Sequence, residues 1–261
     1  MDDAGVMPDE LRLVSTDFDG TIHEENAPVP IPALFEERIA ALQGRGVKWV
    51  INTGREMQSL MESLGRSGAT VRPDYLVLVE REIFINDRGH YVPVEPWNTR
   101  CHEDHARLFA GMADLLPDLL EGLQSRHDAI FYDDPWSPLC VIARNIEQMD
   151  RIEAELDAFA REVQSLSVVR NDVYVRLSHS AYSKGTALAE LQRILGVTPD
   201  QTLAAGDHFN DLPMLLPRHA RHLVVPANGM PAVKEQALRH GGLVSAQRAG
   251  FAVAEALLRW L

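Results

Sequence analysis

The sequence predicts an α/β fold in which a mostly parallel sheet is interrupted by a separate α+β unit. Short apolar runs alternate with stretches of helical periodicity over the first 80 residues and again after residue 183. Such alternation is typical of parallel strands joined by right-handed crossovers. Between these two regions, hairpin-type turns replace the alternation. We therefore predict a Rossmann-like core at residues 1–79 and 181–261, with an inserted unit at residues 80–180.

The first half of the core begins with an apolar run (Leu11, Leu13, Val14), which predicts a buried strand that ends where the carboxylates begin. Pro32 suits a first helical turn, and the apolar residues after it recur at helical spacing until Gly44 and Gly46. The remaining elements predicted here are a strand at 47–52, a helix from 57 to 64 and a strand at 75–79.

The inserted unit is predicted from its turns. Asn86–Gly89 and Asn171–Asp172 each separate two short β-prone runs, which indicates hairpins. The other elements expected in this unit are helices at 103–124, interrupted at Pro117, and at 146–163, with short strands at 129–132 and 139–143.

The second half of the core begins at Ser183, a good N-cap for a helix that runs to residue 195. A strand is predicted at 201–205, and its end carries several polar residues. The elements expected after it are a helix near 212–215, a strand at 223–225, a helix at 231–240 and a final helix ending at 261.

Composition excludes several functional classes. The 261 residues are 46% hydrophobic, and the net charge of −13 argues against non-specific binding to nucleic acid or anionic membranes. Cys101 and Cys140 lack a paired spacing, which is typical of a reducing compartment. The acidic first residues and the lack of a long apolar run predict a cytoplasmic protein without a membrane partner. The sequence gives no indication of oligomeric state.

Polar side chains stand at the predicted strand ends and at one helix start. Because the carboxyl ends of parallel strands lie at one edge of the sheet, these side chains can converge. They are Asp17 and Asp19, Thr53, Lys184, and Asp207 with Asp211. Carboxylates at such an edge suit Mg²⁺, which prefers oxygen ligands.

Phosphoryl transfer is the chemistry that needs this set. A phosphate dianion that approaches a carboxylate nucleophile meets a repulsion of roughly 8 kcal/mol at about 4 Å and an effective dielectric constant near 20. That energy corresponds to about six decades of rate. A divalent cation and the Lys184 ammonium would together cancel it.

Four motifs in order resemble the haloacid dehalogenase superfamily in its phosphatase branch, the Cof-like and sucrose-phosphatase-like enzymes. The motifs are Asp17-Phe18-Asp19-Gly20-Thr21, Thr53-Gly54-Arg55, Ser183-Lys184-Gly185 and Gly206-Asp207-His208-Phe209-Asn210-Asp211. The position of the insert, between the second and third motifs, is similar to that of a C2-type cap. The resemblance implies a Mg²⁺-dependent hydrolase of a small phosphorylated metabolite, a sugar phosphate or a related compound.

The resemblance also implies roles for individual residues. Asp17 would be the nucleophile that forms an aspartyl-phosphate, and Asp19 would act as general acid and then base. Lys184, Thr53 and Gly54 would hold the phosphoryl group. The expected metal ligands are Asp17, the backbone carbonyl of Asp19, Asp207 and Asp211, the last either through water or by orienting Lys184. Asn210 is expected to support the phosphate or the metal shell, and Asn228 is expected near the phosphate.

Some alternatives stay open. A phosphomutase would return the phosphoryl group to substrate, and a phospho-accepting signalling domain also uses aspartates with Thr and Lys. Receivers lack both the insert and an aspartate two positions after the nucleophile.

Two arginines near the motifs also have open roles. Arg55 is expected to brace its loop. Val79-Glu80-Arg81-Glu82 stands where many relatives carry Asn-Gly, so Arg81 either contacts an anionic substrate group or is an exposed linker residue. Cys101-His102-Glu103-Asp104-His105 suggests zinc, but a polar helix start explains it better.

Overall fold

The computed structural model describes residues 10–261, which divide into two compact units. The core unit comprises the described chain up to Val94 together with Lys184–Leu261, and the inserted unit is Glu95–Ser183. These boundaries differ from the predicted ones at 79/80 and 180/181. The cause is the hairpin after the third strand, which continues the core sheet by antiparallel pairing and so belongs to the core.

The elements follow in chain order. The first core segment holds β1 (Leu13–Thr16), α1 (Ala33–Gly44), β2 (Lys48–Asn52), α2 (Met57–Ser67), β3 (Tyr75–Leu78), β4 (Glu82–Asp87) and β5 (His90–Pro93). The inserted unit holds α3 (Trp97–Gly111), α4 (Leu116–Arg126), β6 (Ile130–Asp134), β7 (Ser137–Ile142), α5 (Ile146–Glu162), β8 (Leu166–Asn171) and β9 (Tyr174–His179). The second core segment holds α6 (Lys184–Leu195), β10 (Thr202–Ala205), β11 (His222–Val225), α7 (Pro231–Arg239), β12 (Leu243–Val244) and α8 (Ala249–Leu257).

The core sheet has the strand order β12-β11-β10-β1-β2-β3-β4-β5, parallel from β12 to β3 and antiparallel beyond. β1 lies between β10 and β2, so all four of its residues are buried. Ser15 and Thr16 are the polar residues of this buried strand, and their hydroxyls contact Met214 Sδ and Trp49 Nε1. The α/β fold with a mostly parallel sheet is confirmed.

The inserted unit has its own antiparallel sheet, in the order β6-β7-β9-β8. Its apolar core includes Met149, Ile152 and Leu156 of α5, which pack with Val141 and Val175 of the sheet. The unit can therefore bury apolar surface independently, as an α+β insert requires.

Two helix predictions were wrong in detail. No α-helix forms near 212–215, where only a 3₁₀ turn at Phe209–Asp211 and further turns are present. Pro213 and Pro217 lie four apart, and Pro217 has no N–H with which to continue a helical ladder. In the inserted unit the helix begins at Trp97 rather than 103, and Pro117 lies in the first turn of α4, the position that proline tolerates best. None of the helices within residues 10–261 combines the length and apolar character that a bilayer-spanning segment needs.

Candidate active site

The carboxyl ends of β10, β1 and β2 lie side by side in the core sheet. Thr16, the last residue of β1, is opposite Ala205 of β10 and Ile51 of β2 in the parallel register. The chain leaves these strands directly into Asp17, Gly206 and Thr53. The parallel topology thus brings three of the predicted motifs together at one edge of one unit.

Asp17, Asp207 and Asp211 form a group whose ligand oxygens all lie within 4.8 Å of one another. Glycines permit this approach, since a Cβ on Gly20 would lie 2.3 Å from Asp207 Oδ2 and one on Gly206 would lie 2.5 Å from Asp211. Burial raises the pKa of Asp17 well above its usual value, and Asp211 and Asp207 raise it further against the opposing effect of Lys184. Burial and the neighbouring Asp211 likewise raise the pKa of Asp207 to about 7. Clustered carboxylates with raised pKa values are suited to a divalent cation, which would relieve their repulsion.

Lys184 supplies a fixed positive charge in the same group. It is fully buried at the N-terminus of α6, and its Nζ lies 2.7 Å from Asp17 Oδ1 and 2.6 Å from Asp211 Oδ1. Burial acts to lower the pKa of Lys184, but the nearby carboxylates outweigh it and raise that pKa. Its backbone carbonyl accepts from Asn52 Nδ2 at 3.0 Å, which anchors the helix start to β2.

Both oxygens of Asp211 are already engaged. Oδ1 accepts from Lys184, and Oδ2 accepts from the backbone N–H groups of Asp207 and His208 at 2.8 and 2.9 Å. Asp207, by contrast, accepts a single hydroxyl hydrogen bond at Oδ1, from Thr21 at 2.8 Å. Of the two alternatives from the sequence, these contacts favour Asp211 as the residue that orients Lys184.

Asp19 points to a different partner. Its carboxylate accepts two hydrogen bonds from Arg55, at 2.6 Å from Nε and 2.8 Å from Nη2, and His23 Nδ1 lies 3.3 Å away. Burial alone would raise the pKa of Asp19, but contacts with His23 and Arg55 outweigh it and lower that pKa to about 2. The Asp19 carboxylate is not part of the Asp17 group, and a metal contact through its backbone carbonyl stays a prediction.

Thr53 and Gly54 lie in the turn after β2. Thr53 is buried, and its hydroxyl accepts from the backbone N–H of Arg55 at 3.2 Å. A Cβ on Gly54 would lie 3.2 Å from Glu80 Oε1, so this glycine lets a carboxylate approach the loop. The sequence predicts no role for Glu80, because a single glutamate after a strand belongs to none of the four motifs.

The two asparagines have contacts within the chain. Asn210 Nδ2 donates to Glu80 Oε1 at 2.8 Å. Asn228 Nδ2 donates to the carbonyl of Gly20 at 2.7 Å, and its Oδ1 accepts from the backbone of Ala249 at 2.9 Å. Asn228 therefore braces the turn after Asp17, and its predicted contact with phosphate stays a prediction.

The zinc alternative finds no support within residues 10–261. Cys101 and His105 lie one turn apart on α3, and neither belongs to a group of metal-type ligands. His105 instead bonds within its own unit, through Nδ1 to the carbonyl of Cys101 at 2.7 Å and through Nε2 to Ser178 Oγ at 3.2 Å.

Comparison with known proteins identifies the family. The family profile described as haloacid dehalogenase-like hydrolase matches residues 122–254, just over half of the chain. A phosphoglycolate phosphatase of Methanopyrus kandleri is 29% identical over 230 residues, which are 85% of this chain and 87% of that protein.

Solved structures share the whole fold. The sucrose-phosphatase of Synechocystis, in complex with sucrose and phosphate, has a TM-score of 0.72 at 20% identity and covers 96% of this chain and 98% of its own. A HAD/COF-like hydrolase of Plasmodium vivax has a TM-score of 0.69 at 16% identity, covering 96% of this chain and 95% of its own. These likenesses show a shared fold, and the family match confirms the prediction of a hydrolase. The chain belongs to the haloacid dehalogenase-like hydrolases.

Proposed function

We propose that this enzyme is a Mg²⁺-dependent phosphomonoester hydrolase that works through an aspartyl-phosphate on Asp17. The observation that carries the proposal is the 2.7 Å contact between Lys184 Nζ and Asp17 Oδ1 inside a cluster of three carboxylates. A buried ammonium at the nucleophile offsets part of the repulsion between a carboxylate and a phosphate dianion.

The donor set fits a hard divalent cation, because the ligand oxygens of three carboxylates lie within 4.8 Å of one another, close enough to share one ion. Asp17, Asp207 and the backbone carbonyl of Asp19 would hold it, and Asp211 would orient Lys184 beside it. When bound, Mg²⁺ would supply the positive charge that the attack of one anion on another requires.

In the proposed first step, an oxygen of Asp17 attacks phosphorus while the bond from phosphorus to the leaving oxygen breaks. The side chain of Lys184 and the turn at Thr53–Gly54 would hold the phosphoryl oxygens. In the second step, water attacks phosphorus, and Asp19 takes its proton while Asp17 leaves. His23 and Arg55 together lower the pKa of Asp19, and an ionised Asp19 suits the base role. To protonate the leaving oxygen in the first step, Asp19 must exchange its contact with Arg55 for one with that oxygen.

We propose a small phosphorylated metabolite as the substrate, either a sugar phosphate or a related compound. The names of the relatives support this class, since one is a phosphoglycolate phosphatase and another is a sucrose-phosphatase. The inserted unit, Glu95–Ser183, would act as the cap that selects the leaving group. The cytoplasmic location and the absence of a nucleic-acid partner stay predictions.

A panel of phosphorylated metabolites, with liberated phosphate as the readout, tests the proposal. The wild-type enzyme with Mg²⁺ should release phosphate from some of them, and the isosteric Asp17→Asn should lose at least about 1,000-fold while keeping its circular dichroism spectrum. Retained turnover in Asp17→Asn would remove Asp17 from its role. An isomerised ester without free phosphate would favour a phosphomutase, and a long-lived phosphoprotein would favour a signalling domain.

A further inference from the structure

Glu80 lies at an unusual turn of the backbone. Val79 and Glu80 have φ angles of +44° and +68°, a region that residues other than glycine rarely occupy and a β-branched residue least of all. Hydrogen bonds to the loop after β2 hold the turn, from Val79 N to the Arg55 carbonyl at 3.1 Å and from Glu80 N to the Thr53 carbonyl at 2.9 Å. Strain that the surrounding structure maintains next to a catalytic loop is an observation that calls for a functional reason.

The turn delivers a buried carboxylate to the site. Glu80 is 6% exposed, and its Oε1 faces Gly54, where a Cβ would come within 3.2 Å. The same oxygen accepts a hydrogen bond from Asn210 Nδ2 at 2.8 Å. Glu80 thus contacts both the second motif, at Gly54, and the fourth motif, at Asn210. These two residues are 156 positions apart in the chain.

This contact fixes which end of the Asn210 amide faces which way. Asn210 Nδ2 donates to Glu80 Oε1, so the amide nitrogen faces Glu80 and the carbonyl oxygen faces away. Asn210 is 7% exposed, and its Oδ1 accepts no hydrogen bond from any residue in the part of the chain that the structure describes. A buried acceptor of this kind lowers the stability of the fold unless a ligand satisfies it.

We infer that Glu80 is a positioning residue of this active site: it holds Asn210 with Oδ1 presented as an acceptor for a water that the bound cation brings. The inference rests on the proposed function, since it assigns Asn210 to the cation rather than to phosphate. Mg²⁺ usually keeps several waters in protein sites, and these waters are donors. An amide in the opposite orientation would offer them only N–H groups.

Mn²⁺ binding to the intact protein, measured by titration calorimetry, tests the inference without relying on turnover. Glu80→Gly removes the carboxylate while suiting the backbone at φ +68°, so it should fold. We expect it to weaken Mn²⁺ binding about 10- to 100-fold, the usual loss when a residue that orients a metal ligand is removed. Asn210→Ala should cause a similar loss, and the double variant should lose no more than either single one.

Glu80→Gln separates orientation from charge. A glutamine oxygen still accepts from Asn210 Nδ2, so this variant should keep most of the Mn²⁺ affinity. Glu36→Gln is the matched control, because Glu36 is a core-unit carboxylate bonded to Thr70 and Val71 instead. Wild-type affinity in Glu80→Gly or in Asn210→Ala, or a loss in Glu80→Gln equal to that in Glu80→Gly, would overturn the inference. Failure of the wild-type protein to bind Mn²⁺ would instead overturn the metal site of the proposed function.

Discussion

Asp19 meets two opposite demands in the proposed reaction. As a base for water it must be ionised, and contacts with His23 and Arg55 favour this, since they outweigh burial and lower its pKa to about 2. As an acid for the leaving oxygen it must carry a proton. The structure therefore represents the state suited to the second step, and Arg55 has a more direct part in the site than the loop brace predicted from the sequence.

Leaving-group dependence tests this role of Asp19. Asp19→Asn should lower kcat/KM for alkyl phosphates by about 100-fold or more, the usual contribution of general acid catalysis, and should affect aryl phosphates much less because aryl oxygens leave without a proton. The control is Ser59→Ala, which removes a neutral partner of Arg55 and leaves Asp19 in place. An equal loss for both classes of ester would contradict the acid role.

The residues that anchor the four motifs share one property: Asp17 and Thr53 directly follow a buried strand, Asp207 follows one after a single glycine, and Lys184 begins a helix. Asp17, Thr53 and Asp207 were therefore predictable as neighbours from parallel topology alone. Glu80 was not, because its approach to Gly54 and Asn210 depends on two successive positive φ angles, and no local pattern of residue types at Val79 and Glu80 predicts them.

Among the elements, the start of α6 matters most for the site, because it fixes Lys184. Gly185 lies against the backbone of Pro213, where an added Cβ would come within 2.4 Å of the carbonyl oxygen. The prolines that prevent a helix near 212–215 thus leave a turn that packs closely on α6. The sequence could not show this contact, because it joins two segments by shape rather than by a motif.

Gly185→Ala should therefore displace the N-terminus of α6. We expect a loss of about 1–3 kcal/mol in unfolding free energy, as is usual for overpacking, together with reduced turnover because Lys184 moves away from Asp17. Urea unfolding and phosphate release measure the two effects. The control is Gly44→Ala at the end of α1, where nothing lies within 4 Å of an added Cβ and stability should stay the same or rise. Equal behaviour of the two variants would contradict the packing argument.

At the scale of the whole molecule, the sequence predicted the parallel core and the insert, but it placed their boundary too early. The turn residues of the hairpin β4–β5 are compatible with a place in either unit, and only the pairing of β4 with β3 assigns the hairpin to the core. Strand order of this kind is a non-local property. Turn signals near residue 88 indicate that two strands pair with each other, not which third strand they join.

A divalent cation should stabilise the whole fold, because the native state gathers three carboxylates that the unfolded chain separates. At a concentration of 100 times Kd, the gain should be about 2.7 kcal/mol. Differential scanning fluorimetry should show a higher Tm with Mg²⁺, and a chelator should reverse both this shift and the phosphatase activity. Asp207→Asn is the control that should lose the response. An unchanged Tm with full activity in excess chelator would contradict the role of the cation.

Phosphorylation of Asp17 is the central claim, and trapping the intermediate tests it most directly. Asp19→Asn should still accept a phosphoryl group from an aryl phosphate but should hydrolyse it slowly, because the base for water is missing. Acid quenching followed by borohydride reduction and peptide mass spectrometry should then find homoserine at position 17, the product of a reduced aspartyl-phosphate. Release of the aryl alcohol with unmodified aspartate at position 17 at every time point would contradict the account.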